Sequence, residues 1–482
     1  MSRWILTFDG RDKLIKTATE LLSREMSSRV GYVLPVVPLG ELSAADRERN
    51  NIIVICRAGG DAEKTCRAAG APKAPASSEG YSVFAGRSAF SDDRQMIAVT
   101  GRDGRGALYG CVDLINKYLS RADVSLDGAL PEWKKTASPA IKTRAVWTWG
   151  HVIYDYRGFF KNMARLRMNE IIIWNDVPPI NAADVARCAH SYGVKVIWGF
   201  AWGWSTKCRE ELEKLDRASL SALKAQIVGT YENVYAKMPG DGIYFQSFTE
   251  LSLGTVGGKS VADVVTELVN DVSKTLLSRH PKLEIQFGLH STSVKERLDA
   301  IKTVDPRVRI VWEDCGAFPF SYDPEKTDGF DETLGFVEKT AALRGKNEKY
   351  GAVVKGMLNL DWSTFEHFRE SYILGERTRG FIEKRAAEKE EKWRAATRSW
   401  LKNAEFARKT VALIAEKNKD AVIEALIEDA MLEYSIKLPA ALLSEIMWSP
   451  DADASTLIEA ATSYADVAEY TKKSTTFSRV LK

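Results

Sequence analysis

The sequence has no CxxC pair, no HxH and no HExxH, only five histidines, and six scattered cysteines: Cys56, Cys66, Cys111, Cys188, Cys208 and Cys315. Without ligand spacing neither a zinc site nor a disulfide framework is expected, and no metal and no cofactor is assigned. Long apolar runs are missing as well. No stretch is long enough to span a bilayer, and the opening MSRWILTFDG reaches Asp9 before a signal-peptide core could form. Nor is there an excess of one charge: 68 Lys and Arg against 65 Asp and Glu leave +3, which announces neither a nucleic acid nor an anionic membrane as partner. There is no solenoid repeat. These absences give the expectation of a cytoplasmic protein, and they leave open whether it forms a homo-oligomer.

What is present is a soluble globular composition, 45% hydrophobic and 28% charged, over 482 residues, too long for one ordinary core. Residues 1–136 read as a small α/β domain, with strands near Trp4 to Phe8, Ile52 to Cys56, Tyr81 to Ala85 and Met96 to Thr100. The glycines of GRDGRG at 101–106 lack the Gly-Lys-Ser/Thr ending of a phosphate loop, so they read as a turn opening the helix from Ala107.

Beyond a boundary between Pro131 and Pro139 the texture becomes alternating strand and helix. Seven short apolar runs begin at Arg144, Glu170, Val194, Gly242, Leu283, Val308 and Ala352, with helical patterns between them. No dinucleotide fingerprint follows the first, so the repeat predicts a (β/α)8 TIM barrel over 137–364 rather than an open sheet. An eighth strand is not placed. Residues 365–482, with charged and Ala-rich stretches such as Lys384 to Trp400 and Ala421 to Tyr434, read as a helical region.

The C-terminal ends of barrel strands are where catalytic groups gather. Eight of the thirteen tryptophans fall in the barrel segment, nearly all at such ends. The first strand ends in Trp147, Trp149 and His151; the second in Trp174, Asn175 and Asp176; the third in Trp198, Trp202 and Trp204. Glu250 follows the fourth, His290 the fifth, Trp312, Glu313 and Asp314 the sixth, and Asp361 and Trp362 the seventh. Indole faces suit the CH faces of sugar rings, and carboxylates and amides suit their hydroxyls, so a carbohydrate is the expected partner. About half of the tryptophans, Trp147 and Trp198 first, are expected to fill the core instead.

Cleaving a glycosidic bond takes an acid for the leaving oxygen and a second group for the cation-like transition state. Glu250, beside Phe248 and before Gly254, Gly257 and Gly258, is the expected acid. Glu313, Asp314, Asp176 and Asp361 are the candidates for the second group. Glu313 and Asp314 are adjacent on one strand and point to opposite faces unless the strand has ended.

At these residues the chain resembles the family 67 α-glucuronidases and, more distantly, the family 20 and family 84 hexosaminidases. The likeness rests on Arg105-Gly106-Ala107-Leu108-Tyr109-Gly110, on Arg167-Met168-Asn169 before Glu170-Ile171-Ile172-Ile173-Trp174-Asn175, on Tyr192-Gly193-Val194-Lys195-Val196, and on the Asp241-Gly242 strand leading to Glu250. It implies a small α/β domain before a catalytic barrel, and it carries the general-acid role to Glu250. The downstream Asp and Glu pair of family 67 has no clear counterpart here, and Thr249 stands where family 20 has an Asp, which disfavours attack by a substrate acetamido group. The expectation is a glycoside hydrolase of a small oligosaccharide or glycoside, α-glucuronidase-like. The alternatives are a non-catalytic sugar-binding protein on a hydrolase scaffold, a β-N-acetylhexosaminidase-like enzyme, and a barrel lyase or isomerase using His290 with a carboxylate.

Overall fold

The computed structural model describes residues 3–10, 12–175, 177–203, 215–250, 254–290, 294–313, 329–356, 370–427 and 430–466. The chain divides into two compact units: Met1–Pro139 with the short pieces Ala164–Arg167 and Ser191–Gly193, and the remainder.

The first unit is built on a six-stranded sheet, β1 (Trp4–Phe8), β2 (Val36–Pro38), β3 (Asn51–Arg57), β4 (Tyr81–Arg87), β5 (Gln95–Gly101) and β6 (Trp133–Ala137), in the order β2-β1-β3-β5-β4-β6. Its first helix, Lys13–Val30, starts where the Asp12 carboxylate accepts from the Leu14 amide. In GRDGRG, Asp103 accepts from the Gly106 amide at 2.9 Å and starts the helix Gly104–Asp113. An acidic side chain already occupies that helix N-terminus, which suits a turn better than a phosphate cradle.

The second unit is a closed barrel of eight parallel strands: β7 (Thr143–Trp149), β8 (Glu170–Trp174), β9 (Lys195–Gly199), β10 (Gly242–Gln246), β13 (Glu284–His290), β14 (Arg309–Glu313), β15 (Lys349–Val354) and β16 (Asp420–Leu426). A two-stranded ribbon of β11 (Thr255–Val256) and β12 (Lys259–Ser260) follows β10. The barrel helices form because apolar residues recur at helical spacing. In Val261–Arg279, Val261, Val265, Leu268, Val272 and Leu276 make the buried face.

The eighth strand corrects the sequence reading. It lies past residue 364, inside the segment expected to be helical, and pairs with β15 and β7 to close the barrel. Its sequence, DAVIEAL, is rich in helix formers and buried on both faces, so it lacks the alternation that marks a half-exposed strand; two long-range neighbours override its local preference.

Alternation sets what faces inward. Ala145, Trp147, Trp149, Ile172, Trp174, Ile197, Tyr244, Val311, Val353, Val422 and Leu426 form one buried cluster in the barrel interior. Residues one position out of phase face the helices.

Candidate active site

At the C-terminal end of the barrel the inward residues of β10 are Tyr244 and Gln246, and the inward end of β14 is Glu313. Tyr244 Oη donates to Glu313 Oε1 at 2.6 Å, and Gln246 Nε2 lies 2.8 Å from both carboxylate oxygens. His290, closing β13, places Nε2 2.8 Å from Glu313 Oε2. Burial alone would push the Glu313 carboxyl up, but His290, Lys355 and the Tyr244 hydroxyl together hold it down at about 2. Glu313 is therefore an ionised carboxylate buried behind its donors, while the His290 side chain remains 18% exposed.

This geometry depends on a glycine. A Cβ on Gly288, on the strand between β10 and β14, would lie 2.4 Å from both Glu313 Oε1 and Tyr244 Oη.

Aromatic rings pack beside this carboxylate. Trp147 meets Trp149 edge to face at 5.2 Å and Tyr244 at 6.0 Å, and Trp149 meets Trp174 at 5.7 Å. His151, in the turn Gly150–Val152, lies 6.0 Å from Trp149. Asn175 accepts from the Tyr372 hydroxyl at 2.5 Å. A Cβ on Gly150 would sit 2.0 Å from that hydroxyl oxygen. Asn181 fixes the Tyr372 segment, its side chain exchanging hydrogen bonds with the Leu374 backbone at 2.8 and 2.9 Å.

The site residues named from sequence thus separate. Trp149, His151, Trp174, Asn175, His290 and Glu313 lie at the C-terminal end of the barrel. Trp202 and Trp312 are corrections: both sit on the outward side of the strands. Trp202 stacks on Phe245 at 3.6 Å, Phe245 on Phe287 at 5.0 Å, and Trp312 packs against Phe336 of the helix Phe330–Ala341 at 5.4 Å. Parity explains this, since Glu313 and Gln246 point inward and their neighbours Trp312 and Phe245 therefore do not. Trp198 is also on the outward side, its Nε1 donating to Pro239 O. Trp147 proves to be interior. Glu250 ends a single 3-10 turn, Phe248–Glu250, just past β10, and its side chain lies outside the description. Asp176, Trp204, Asp314, Asp361 and Trp362 lie outside the described residues.

Tyr244, Gln246 and Tyr372 were not singled out as site residues. The first two could have been found by alternation along Gly242-Ile243-Tyr244-Phe245-Gln246; nothing local marks Tyr372. No group of three or more His, Cys, Asp or Glu among the described residues is placed to hold a metal ion.

No family model matches this chain. No curated protein matches its sequence. Solved structures do resemble it. A mutant β-hexosaminidase of Streptomyces plicatus in complex with its product GlcNAc aligns over 96% of this chain and 91% of its own, with TM-score 0.52 and 10% identity. The GH20 β-N-acetylhexosaminidase of Streptomyces coelicolor aligns over 97% and 91%, with TM-score 0.54 and 10% identity. A family GH115 4-O-methyl-α-glucuronidase with specificity for decorated arabinogalactans aligns over 95% of this chain but 59% of its own, with TM-score 0.55 and 12% identity. At this identity the likeness is one of fold, and it agrees with the (β/α)8 barrel.

Proposed function

We propose that this chain is a glycoside hydrolase working at the C-terminal end of the barrel, with Glu250 as general acid. The observation that carries the reading is the ionised Glu313 held behind His290 beside an aromatic cluster at the C-terminal end of the barrel, the end at which the turn Phe248–Glu250 follows β10. Protonating the leaving oxygen builds positive charge on the sugar ring, and His290, oriented by the Glu313 carboxylate, takes the proton of the attacking water as that charge builds. Because Glu313 is engaged by three side chains and buried, it acts through His290 rather than on the sugar. That makes Glu313 a positioning residue, and His290 the group that meets the ligand.

The test is turnover on a panel of aryl glycosides that includes uronides and N-acetylhexosaminides, run in ¹⁸O-water. Hydrolysis places solvent oxygen in the released sugar. Preference for a uronide supports the α-glucuronidase-like specificity, and binding without turnover supports a sugar-binding protein on a hydrolase scaffold.

The 2.8 Å pair of His290 and Glu313 favours a second reading, a lyase or isomerase in which His290 moves a proton. That enzyme would give product with no solvent oxygen in the same assay.

A further inference from the structure

The barrel's hydrogen-bonded registers place three buried carboxyls on one continuous row. His290 pairs with Glu313, Glu313 with Val353, Val353 with Glu424, Glu424 with Ala145, Ala145 with Glu170, and Glu170 with Lys195. Each of these positions has inward parity, so the row winds inside the barrel from a histidine at one end to a lysine at the other. Between the acids stand only Val353 and Ala145. Acids two strands apart have backbones roughly 10 Å from one another before their side chains lean inward.

The three are not equally served by donors. Glu313 has Tyr244, Gln246 and His290. Glu170 accepts from Gln286 Nε2 at 2.8 Å. Glu424 is fully buried, and neither of its oxygens has a hydrogen-bond partner among the described residues. Among the described residues the charged groups that act on it most are Glu170, Glu313, Arg309 and Glu284. Arg309 is already committed to Glu284 at 3.2 Å, to Asp420 at 3.5 Å and to the Tyr350 carbonyl. A carboxylate without donors, deep in the interior and facing other carboxylates, is the member of the row for which ionisation costs most.

We propose that Glu424 holds a bound proton in the folded protein and is the neutral middle member of this row, so that the negative charge at the barrel's C-terminal end stays on Glu313 behind His290. Burial first, then the charges of Glu170 and Glu313, push its carboxyl well above the ordinary range, in keeping with that geometry. The use made of the Glu313 charge rests on the hydrolase reading; the proton on Glu424 does not, and it is measured without substrate.

The experiment compares the wild-type protein with E424Q, which cannot ionise, by infrared difference spectroscopy in deuterated buffer at neutral pH and by denaturant unfolding across pH. The wild type should show the carbonyl stretch of a protonated carboxylic acid that E424Q lacks. Above the ordinary glutamate value of 4.5 the unfolded chain loses this proton and the folded one keeps it. The wild-type unfolding constant should therefore rise relative to that of E424Q by about tenfold per pH unit. In E313Q, with the neighbouring charge gone, the acid band should vanish at a lower pH than in the wild type. Should E424Q not fold, E424M replaces it in both comparisons. A difference spectrum without the acid band, or an unfolding ratio flat above pH 5, overturns the proposal, and an unmoved band in E313Q overturns the coupling to Glu313.

Discussion

Tyr244 and Glu313, two barrel strands apart, are joined by a 2.6 Å hydrogen bond that exists because the residue on the strand between them, Gly288, has no side chain. Gly288→Ala should therefore break the pair, since the added Cβ would lie 2.4 Å from both oxygens. Losing one buried hydrogen bond to a charged group costs about 1.5–3 kcal/mol. The expected result is a drop in unfolding free energy of that scale together with loss of activity. A variant with parental stability and rate would show that the pair is dispensable.

Glu250→Gln should keep ligand binding and lower kcat by about 10²–10⁴, because an acid acts on the transition state and not on the ground state. The loss should shrink on substrates whose leaving group needs no proton. Activity within a few-fold of the parent on poor leaving groups ends the acid assignment.

Glu313→Gln bears on acid stability, and the sign can be worked out. The folded carboxyl is held at about 2 against an ordinary 4.5, so ionised Glu313 contributes stability that is present above pH 4.5 and lost as pH falls toward 2. For so buried a group the shift is on the order of 3 kcal/mol. Unfolding curves should show E313Q far below the wild type at pH 6 and nearly level with it at pH 2. A gap independent of pH would mean that Glu313 is not held ionised.

Two tryptophans should differ in their effect on binding. Trp149→Ala, at the C-terminal end of the barrel, should weaken sugar binding by about 1–3 kcal/mol, the scale of a lost aromatic contact, besides the stability lost with a ring of the buried interior cluster. Trp202→Ala should instead lower stability by about 3–5 kcal/mol and leave sugar affinity unchanged in the fraction that folds, because it removes one ring of the stack with Phe245 and Phe287. Titration followed by tryptophan fluorescence, paired with denaturant melts, separates the two.

The first-formed anomer should be inverted. Glu313 is engaged by Tyr244, Gln246 and His290 and lies behind the imidazole, so it is not free to form a glycosyl ester, and a water that gives its proton to His290 is the nucleophile. A single displacement by water inverts the anomeric centre. Proton NMR of the nascent sugar decides the matter, and retention would exclude Glu250 and His290 as acid and base.

The sequence by itself determined seven of the barrel strands and the helices between them, because apolar periodicity is local. It also placed Trp149, His151, Trp174, Asn175, His290 and Glu313 at strand ends, since a strand end is a local event. It could not rank those residues. Which way each points depends on parity against neighbouring strands, and that turned Trp202 and Trp312 to the outward side while keeping Trp149 and Trp174 within. Only the tertiary structure decided the eighth strand, where pairing with β15 and β7 outweighs the helical preference of Asp420–Leu426. Closing the barrel through that strand in one register is also what sets Glu424 between Glu313 and Glu170. Those residues are more than a hundred positions apart in the chain, and no local pattern encodes a meeting across that distance.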